Sequence, residues 1–205
     1  MGTPGAGKGT QAKLLASRFG ACHISTGDML REAARGGTKL GLEAKHFMEQ
    51  GLLVPDAVVI GIVAERLDAA DCKAGFLLDG FPRTVTQAKA LDALLARRGQ
   101  PLGGVLLITL PREVALERLA GRRVCEQCGA MSSFDPPAQA ERCDRCGGRL
   151  VQRTDDREET VRHRMEVYAR ETAPVLEHYR AAGLLREIDG SGSRDDVFQR
   201  MTASV

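Results

Sequence analysis

The sequence predicts an α/β fold with a parallel sheet, carrying one small insert held by something other than an apolar core. Three observations lead there. Short apolar runs alternate with longer stretches of helical period. A glycine-rich turn ending in lysine and threonine, Gly2 to Thr10, opens the first helical stretch. Four cysteines fall in two C-x-x-C pairs inside a segment with no sustained apolar period. With 205 residues and 43% hydrophobic side chains, the chain suits one domain, or one domain with a small insert.

In chain order, Thr10–Phe19 carries apolar residues at three- and four-residue spacing and predicts the first helix. Leu40–Gln50, Asp56–Ala69, Thr86–Arg97 and Arg112–Leu119 repeat that pattern. Between them Cys22–Ser25, Phe76–Asp79, Val105–Leu110 and Leu184–Asp189 are short and apolar, as strands buried on both faces are. Alternation of this kind sets the strands side by side in parallel, with helices layered on both faces. From about Val124 to Gln152 the apolar period lapses, and two prolines, three glycines and four cysteines crowd together. Helix resumes over Glu158 to Tyr179, with Pro174 dividing it in two.

The net charge of +2 gives no global field to draw in nucleic acid or an acidic membrane. No apolar run reaches the ~18 residues of a membrane helix, and no signal-peptide pattern opens the chain. The expected location is the cytoplasm, where the cysteines serve as thiols or metal ligands. Arginine outnumbers lysine, 23 to 6. A guanidinium fork suits phosphate better than a point charge, although genome composition explains such a bias equally well.

Gly2 to Thr10 matches G-x-x-x-x-G-K, with Gly9 where Ser or Thr usually follows the lysine and Thr10 next. Glycines let backbone N–H groups converge on an anion without interference from Cβ. The helix that follows aims its positive end at the same place, and Lys8 supplies mobile charge to the outer phosphates. Such a loop hangs from the C-terminal end of a strand. Only Met1 precedes it here, so the first strand of a P-loop fold is missing at the N-terminus, and a start assigned too late is the expected reason.

Cys125-Glu126-Gln127-Cys128 and Cys143-Asp144-Arg145-Cys146 are paired knuckles, each followed by glycine and separated by 14 residues. Four thiolates at this spacing suit a tetrahedral Zn²⁺ with no open position, which makes the metal structural. An iron site or redox pairs are the alternatives. Cys22 and Cys72 lie outside the knuckles and read as ordinary buried thiols.

Together these segments resemble adenylate kinase in its long form with a zinc-bearing lid, over essentially the whole chain from Gly2. Gly5-Ala6-Gly7-Lys8-Gly9-Thr10-Gln11 is similar to that family's phosphate loop, and Ser25 to Arg31 to its monophosphate segment. Asp79-Gly80-Phe81-Pro82-Arg83-Thr84, followed by Gln87, is close to a family signature. Gly121-Arg122-Arg123 resembles the opening of the lid, and Arg153-Thr154-Asp155-Asp156 with Arg164 its close.

The resemblance implies reversible transfer of the γ-phosphoryl of Mg·ATP to AMP, giving two ADP, in a monomer that binds neither nucleic acid nor membrane. It implies a core of residues 1–121 and 156–205, a monophosphate-binding segment at 25–54 and a lid at 122–155. Gly5, Ala6, Gly7, Lys8, Gly9 and Thr10 would hold ATP phosphates. Arg122, Met131, Ser132 and Gly192 would contact ATP from the lid and the C-terminal region. Thr26, Arg31, Leu52, Leu53, Val54, Gly80, Phe81, Pro82, Arg83, Gln87, Arg153 and Arg164 would hold AMP. Arg122, Arg153 and Arg164 would converge on the transferring group, joined by Arg118, and Asp79 would orient Mg²⁺ through water. Asp155 and Asp156 would pair with lid arginines or help the magnesium shell. Arg123, Arg157 and Arg162 read as surface or hinge charges, and His23, His46, His163 and His178 show no acid or nucleophile pattern.

Two departures stand out. An aromatic often follows the second lid cysteine in this family, and here the stretch is Met131-Ser132-Ser133. Gly192 brings no side chain to the adenine. The competing readings are a kinase for UMP, CMP or GMP, and a zinc-ribbon nucleic-acid module. Phe134 as the insert's only aromatic, and acids beside its arginines, oppose the second.

Overall fold

The computed structural model describes residues 1–131 and 141–205. Helix α1 spans Lys8–Phe19 and leads into strand β1, Cys22–Ser25. Then come α2 (Thr26–Arg35), α3 (Lys39–Glu49), α4 (Asp56–Asp68), β2 (Phe76–Asp79), α5 (Val85–Arg98) and β3 (Val105–Thr109). After α6 (Arg112–Gly121), the insert holds β4 (Val124–Cys125) and β5 (Leu150–Val151). Helices α7 (Glu158–Val167) and α8 (Ala173–Ala181), strand β6 (Leu185–Asp189) and α9 (Arg194–Thr202) complete the chain.

Strands of four or five apolar residues pair in parallel, as expected for crossovers through helices. Among the described residues they make two small sheets rather than one: β1 with β2, from Cys22 opposite Phe76, and β3 with β6, from Val105 opposite Leu185. Met1 sits against β3. Ile108 N–H donates to Met1 O at 3.0 Å, and the Met1 ammonium donates to Leu106 O. Those are the two bonds of one residue in a parallel ladder, opposite Leu107. Burial first, then the charge of Lys8, pushes that ammonium down to about 5.

Two apolar clusters flank the strands. Ile24, Val59, Val63, Leu67, Leu91 and Leu95 pack β1 against α4 and α5. Leu15, Ile108, Ile188, Val197 and Met201 pack α1 and α9 on the β3–β6 sheet. Helix α1 therefore borders both sheets, since it also packs along β1 and β2.

Local chemistry sets several boundaries. Ser25 caps α2 by accepting from Asp28 N–H at 3.3 Å, and this helix was not among the periodic segments. Ser193 and Asp196 form a capping box that starts α9, also unforeseen although S-x-x-D is its sequence sign. Pro174 does divide the predicted long helix. Ahead of it Tyr168–Thr172 widens into a π turn, which releases the backbone bond that proline cannot make. The turn sets Thr172 Oγ1 2.9 Å from Arg83 O.

Cys22 and Cys72 are buried as expected, but they are bonded to each other rather than free, with Cα atoms 5.0 Å apart. The parallel register brings the start of β1 beside the turn before β2, a proximity that separate strands in sequence do not announce.

Helices α2 and α3 meet at Gly41, where a Cβ would lie 2.1 Å from the Ala33 carbonyl carbon. Gly41→Ala should cost about 1–3 kcal/mol through overpacking. Thermal unfolding should therefore fall by at least ~2 °C, and an unchanged midpoint would show that the two helices can separate freely.

Candidate active site

Site residues come from strand ends and helix starts. The turn before α1 holds Gly5 and Gly7 at φ 86° and 85°, the left-handed region glycine tolerates. Lys8 Nζ folds back to donate to Gly2 O and Thr3 O, both at 2.7 Å. Burial first, then the charges of Arg83, Arg164 and Arg122, pushes its ammonium down to about 7 despite the pull of Asp79.

Asp79 closes β2 and faces the loop, its Oδ2 3.2 Å from where a Cβ on Gly9 would stand. Burial works to raise its carboxyl, but the neighbouring His23 ring and the charges of Lys8 and Arg83 hold it below the usual carboxylate range. His23 Nε2 lies 3.7 Å from Asp79 Oδ2. Thr26 Oγ1 donates to Gly80 O at 3.0 Å, and Arg83 Nε donates to the same oxygen at 2.8 Å, tying α2 to the turn after β2. Burial, then Arg164, lowers the Arg83 guanidinium.

Gln87 is fixed at both ends of its amide. Arg83 N–H donates to Oε1, and Nε2 donates to Asp56 Oδ1, each at 2.8 Å. Asp56 Oδ2 also accepts from Thr84 Oγ1 at 2.9 Å. A carboxylate only accepts, so Asp56 assigns the amide's orientation and leaves one Nε2–H uncommitted. Sequence reasoning missed Asp56. Its signal is a carboxylate at the first residue of α4, which on sequence alone reads as a helix-start acid.

Past the cysteine insert, Asp156 is fully buried and collects arginines. Arg122 Nε donates to its Oδ2 at 2.6 Å and Arg122 Nη2 to its Oδ1, a two-pronged clasp. Arg164 Nη1 donates to Asp156 Oδ1 at 3.1 Å and to Asp155 O at 2.8 Å. Burial raises the Asp155 carboxyl, yet Arg164 first, then Arg122 and Arg153, hold it below the ordinary range. Arg153 Nε is buried with no hydrogen-bond partner among the described residues. Burial, then the charges of Arg31 and Arg122, pushes that guanidinium down to about 10, still a cation at neutral pH.

Lys8, Thr26, Arg31, Arg83, Gln87 and Arg164 line one cavity of about 660 Å³, which also runs between the two sheets toward Met201. Gly80, Phe81, Pro82, Leu52, Leu53 and Val54 border it too. Arg31 pairs with Asp28 at 2.6 Å. Arg118 Nη2 donates to Gly190 O at 3.4 Å. Gly192 lies beside the α9 cap, where a Cβ would come 3.0 Å from Asp196 Oδ2. Met131 reaches toward the loop, its Cε 3.9 Å from a Cβ placed on Gly9. Ser132 lies outside the described residues, as do Ser133 and Phe134.

Three histidines do find acids in space: His23 with Asp79, His163 with Glu166 at 3.6 Å, and His178 with Asp92 at 2.7 Å. Of these only His23 touches a residue of the site. Arg162 pairs with Glu158 at the surface, as a solvated charge does.

The insert's knuckles face one another. Cys125 and Cys146 sulfurs lie 3.4 Å apart, Cys128 and Cys143 sulfurs 3.6 Å apart, and all four fall within 4.8 Å of each other. Four thiolates around a cation at ~2.3 Å would be ~3.8 Å apart, so the set suits a tetrahedral metal. Cys125 N–H donates to Ala130 O and Cys143 N–H to Gly148 O, both at 2.8 Å, so the two turns fold alike. A Cβ on Gly148 would come 2.8 Å from Cys125 Sγ, inside the cluster.

The family model for adenylate kinase matches residues 1–184. The adenylate kinase of Carboxydothermus hydrogenoformans is 56% identical over 200 residues, 97% of this chain and 94% of that protein. That of Syntrophobacter fumaroxidans is 53% identical, covering 99% of this chain and 96% of its own length. That of a Geobacillus species is 53% identical, covering 97% and 93%.

Replacing Asp156 by alanine would leave Arg122 and Arg164 without their shared carboxylate. Urea unfolding should show a loss of about 3–5 kcal/mol, the cost of stranding one side of a buried ion pair. A loss below ~1 kcal/mol would mean that the two guanidiniums hold each other's surroundings without it.

Proposed function

The chain belongs to the adenylate kinase family and performs ATP:AMP phosphotransfer, and on that premise we propose how its residues divide the work. The observation that carries the division is the single cavity where the loop lysine meets arginines from α2, the turn after β2 and α7. Transfer between two anions needs little covalent chemistry from a protein. It needs positioning, charge to offset the phosphoryl oxygens, and exclusion of water.

Gly5 to Thr10 offer N–H groups to the ATP phosphates, and Lys8 leaves its loop carbonyls for the outer phosphates. Arg31, released from Asp28, and Arg83 hold the AMP phosphate. Arg153, its buried Nε unpartnered among the described residues, joins Arg122 and Arg164 around the group in transit. Arg118 is placed instead to steady the Gly190 end, near Gly192, where backbone groups meet the adenine of ATP. Mg²⁺ bound with ATP offsets charge on the β- and γ-oxygens. Asp79, ionised and facing the loop, is the residue placed to hold that ion through water.

The lid is read as residues 122–155, a rigid body clamped by zinc on Cys125, Cys128, Cys143 and Cys146. Zinc bonds would fold an insert too small for a core of its own. Met131 then comes down on the loop with the lid, in the place of a stacking aromatic. The segment 25–54 closes over AMP, with Thr26 and Leu52 to Val54 framing the base. The slot between β2 and β3, where Met1 makes one ladder rung, is read as the position of a central strand feeding the loop.

Selection of AMP over GMP and UMP follows from the Gln87 amide. Its uncommitted N–H suits a lone pair at the base's ring-nitrogen position, which adenine N1 and cytosine N3 both offer. Guanine N1 and uracil N3 carry hydrogens there instead. In a coupled assay GMP and UMP should run at least ~100-fold below AMP in kcat/KM. Asp56→Asn lets the amide flip, so KM for AMP should rise about tenfold with kcat less affected, and the AMP-to-GMP ratio should narrow. Equal rates with UMP, or an unchanged ratio in Asp56→Asn, would defeat this reading.

The Lys8 ammonium, pushed down to about 7 in the free protein, has an unfolded value of 10.5. Its folded value is depressed, so free-protein stability rises as pH climbs through that window. Triphosphate binding favours the charged form and reverses the shift. Calorimetry at pH 8 in buffers of different ionisation enthalpy should show up to about one proton taken up per Mg·ATP. The uptake should vanish by about pH 6, where Lys8 is already charged.

A further inference from the structure

We infer that Cys72 is a peroxide-reactive thiol with Cys22 as its resolving partner, and that their bond locks the root of the segment between them. Cys22 opens β1 and Cys72 ends the 3₁₀ turn Ala70–Cys72 ahead of β2. Their sulfurs are joined, and the Cα separation of 5.0 Å lies inside the range that spans a disulfide without moving the backbone.

One observation singles out Cys72. Arg66 Nη1 lies 3.1 Å from its sulfur. The same guanidinium grips both oxygens of Asp71, at 2.8 and 2.6 Å, so the neighbouring carboxylate is neutralised rather than left to oppose a thiolate. A fixed cation beside a thiol favours the reactive anion. Both cysteines sit in the apolar cluster with Val63 and Leu67, at 7% and 1% exposure, where burial opposes the thiolate, so the Arg66 guanidinium is the group that must offset it.

The chemistry balances with hydrogen peroxide as oxidant. The Cys72 thiolate attacks a peroxide oxygen, the O–O bond breaks, and the departing hydroxide takes a proton to leave as water. The resulting sulfenic acid is attacked by the Cys22 sulfur, the S–O bond breaks, and a second water leaves. Two thiols are oxidised and one peroxide is reduced to two waters. A dithiol reverses the step by exchange. The four knuckle cysteines are free thiols in this chain, and they need reducing surroundings to bind metal. In such surroundings a bond between Cys22 and Cys72 forms and opens rather than persisting.

The sequence separation of 50 residues encloses α2, α3 and α4. With them go Thr26, Arg31, Leu52 to Val54 and Asp56, the residues read above as holding AMP. The bond thus ties off that segment at its base, at the far end of β1 from Thr26. The kinetic part of this inference rests on the AMP assignment, whereas the chemical and thermal parts do not.

The test uses metal-loaded enzyme, reduced with dithiothreitol and then exposed to hydrogen peroxide. Peptide mass spectrometry should find Cys22 linked to Cys72, and the melting midpoint should rise by more than ~5 °C, since the bond closes a long loop. Dithiothreitol should reverse both changes. The KM for AMP should fall about threefold in the linked form while that for ATP stays put. Arg66→Gln should slow formation of the link about tenfold, a readout that stands even if Cys22→Ser folds poorly. Absence of the linked peptide, or equal rates in Arg66→Gln, would overturn the reactive-site assignment. A link that leaves the melting midpoint unchanged would overturn the lock.

Discussion

Repulsion among cations crowded into one cleft is the constraint around which this molecule is arranged. Lys8, Arg31, Arg83, Arg122, Arg153 and Arg164 come from separate stretches of chain, and each finds the others' charge nearby. Burial first, and that crowding after it, depresses the Lys8 ammonium and the Arg153 guanidinium. Asp79, Asp155 and Asp156 hold the repulsion in check, and they do so from strand ends and insert junctions that a folded core fixes in place. The same frustration is what makes the cleft useful. Charge already assembled where phosphoryl oxygens will sit need not be reorganised when they arrive.

The cysteine insert and the core solve the problem of rigidity by different means. The core packs Ile24, Leu15 and Ile188 among their neighbours. The insert has too few apolar residues for that, and its two knuckles point sulfur at sulfur instead. Arg122 and Arg153 flank this body, so its stiffness decides whether they arrive together. Asp156, just past its end, grips Arg122 with both oxygens and so latches the insert's first residue to its exit.

Much of this was legible in the sequence because it lies in contiguous words. The loop from Gly2 to Thr10, the Asp79 to Arg83 turn and the knuckles each state their own chemistry at fixed spacing. The four parallel strands were legible from apolar runs, to within a residue at their ends. What stayed hidden depends on pairing across distance. Asp56 matters only because α4 begins where Gln87 points, and Cys22 meets Cys72 only through the register of β1 with β2. Arg118, expected beside the lid arginines, donates to Gly190 O across a separation of 72 residues, a contact that no local spacing states. The predicted single sheet is found as two pieces, with α1 and the Met1 rung between them.

That last feature gives α1 an unusual share of responsibility. It borders both sheets, and its first turn is also the anion nest. On the reading proposed above, a nucleotide seated there rests on the helix that both halves share. Any ligand that prefers the folded nest adds its binding free energy to the fold's own, in proportion to how far its concentration exceeds its dissociation constant. For this chain the substrate is in effect a structural component, and the cell's nucleotide supply sets how long the protein lasts as well as how fast it works.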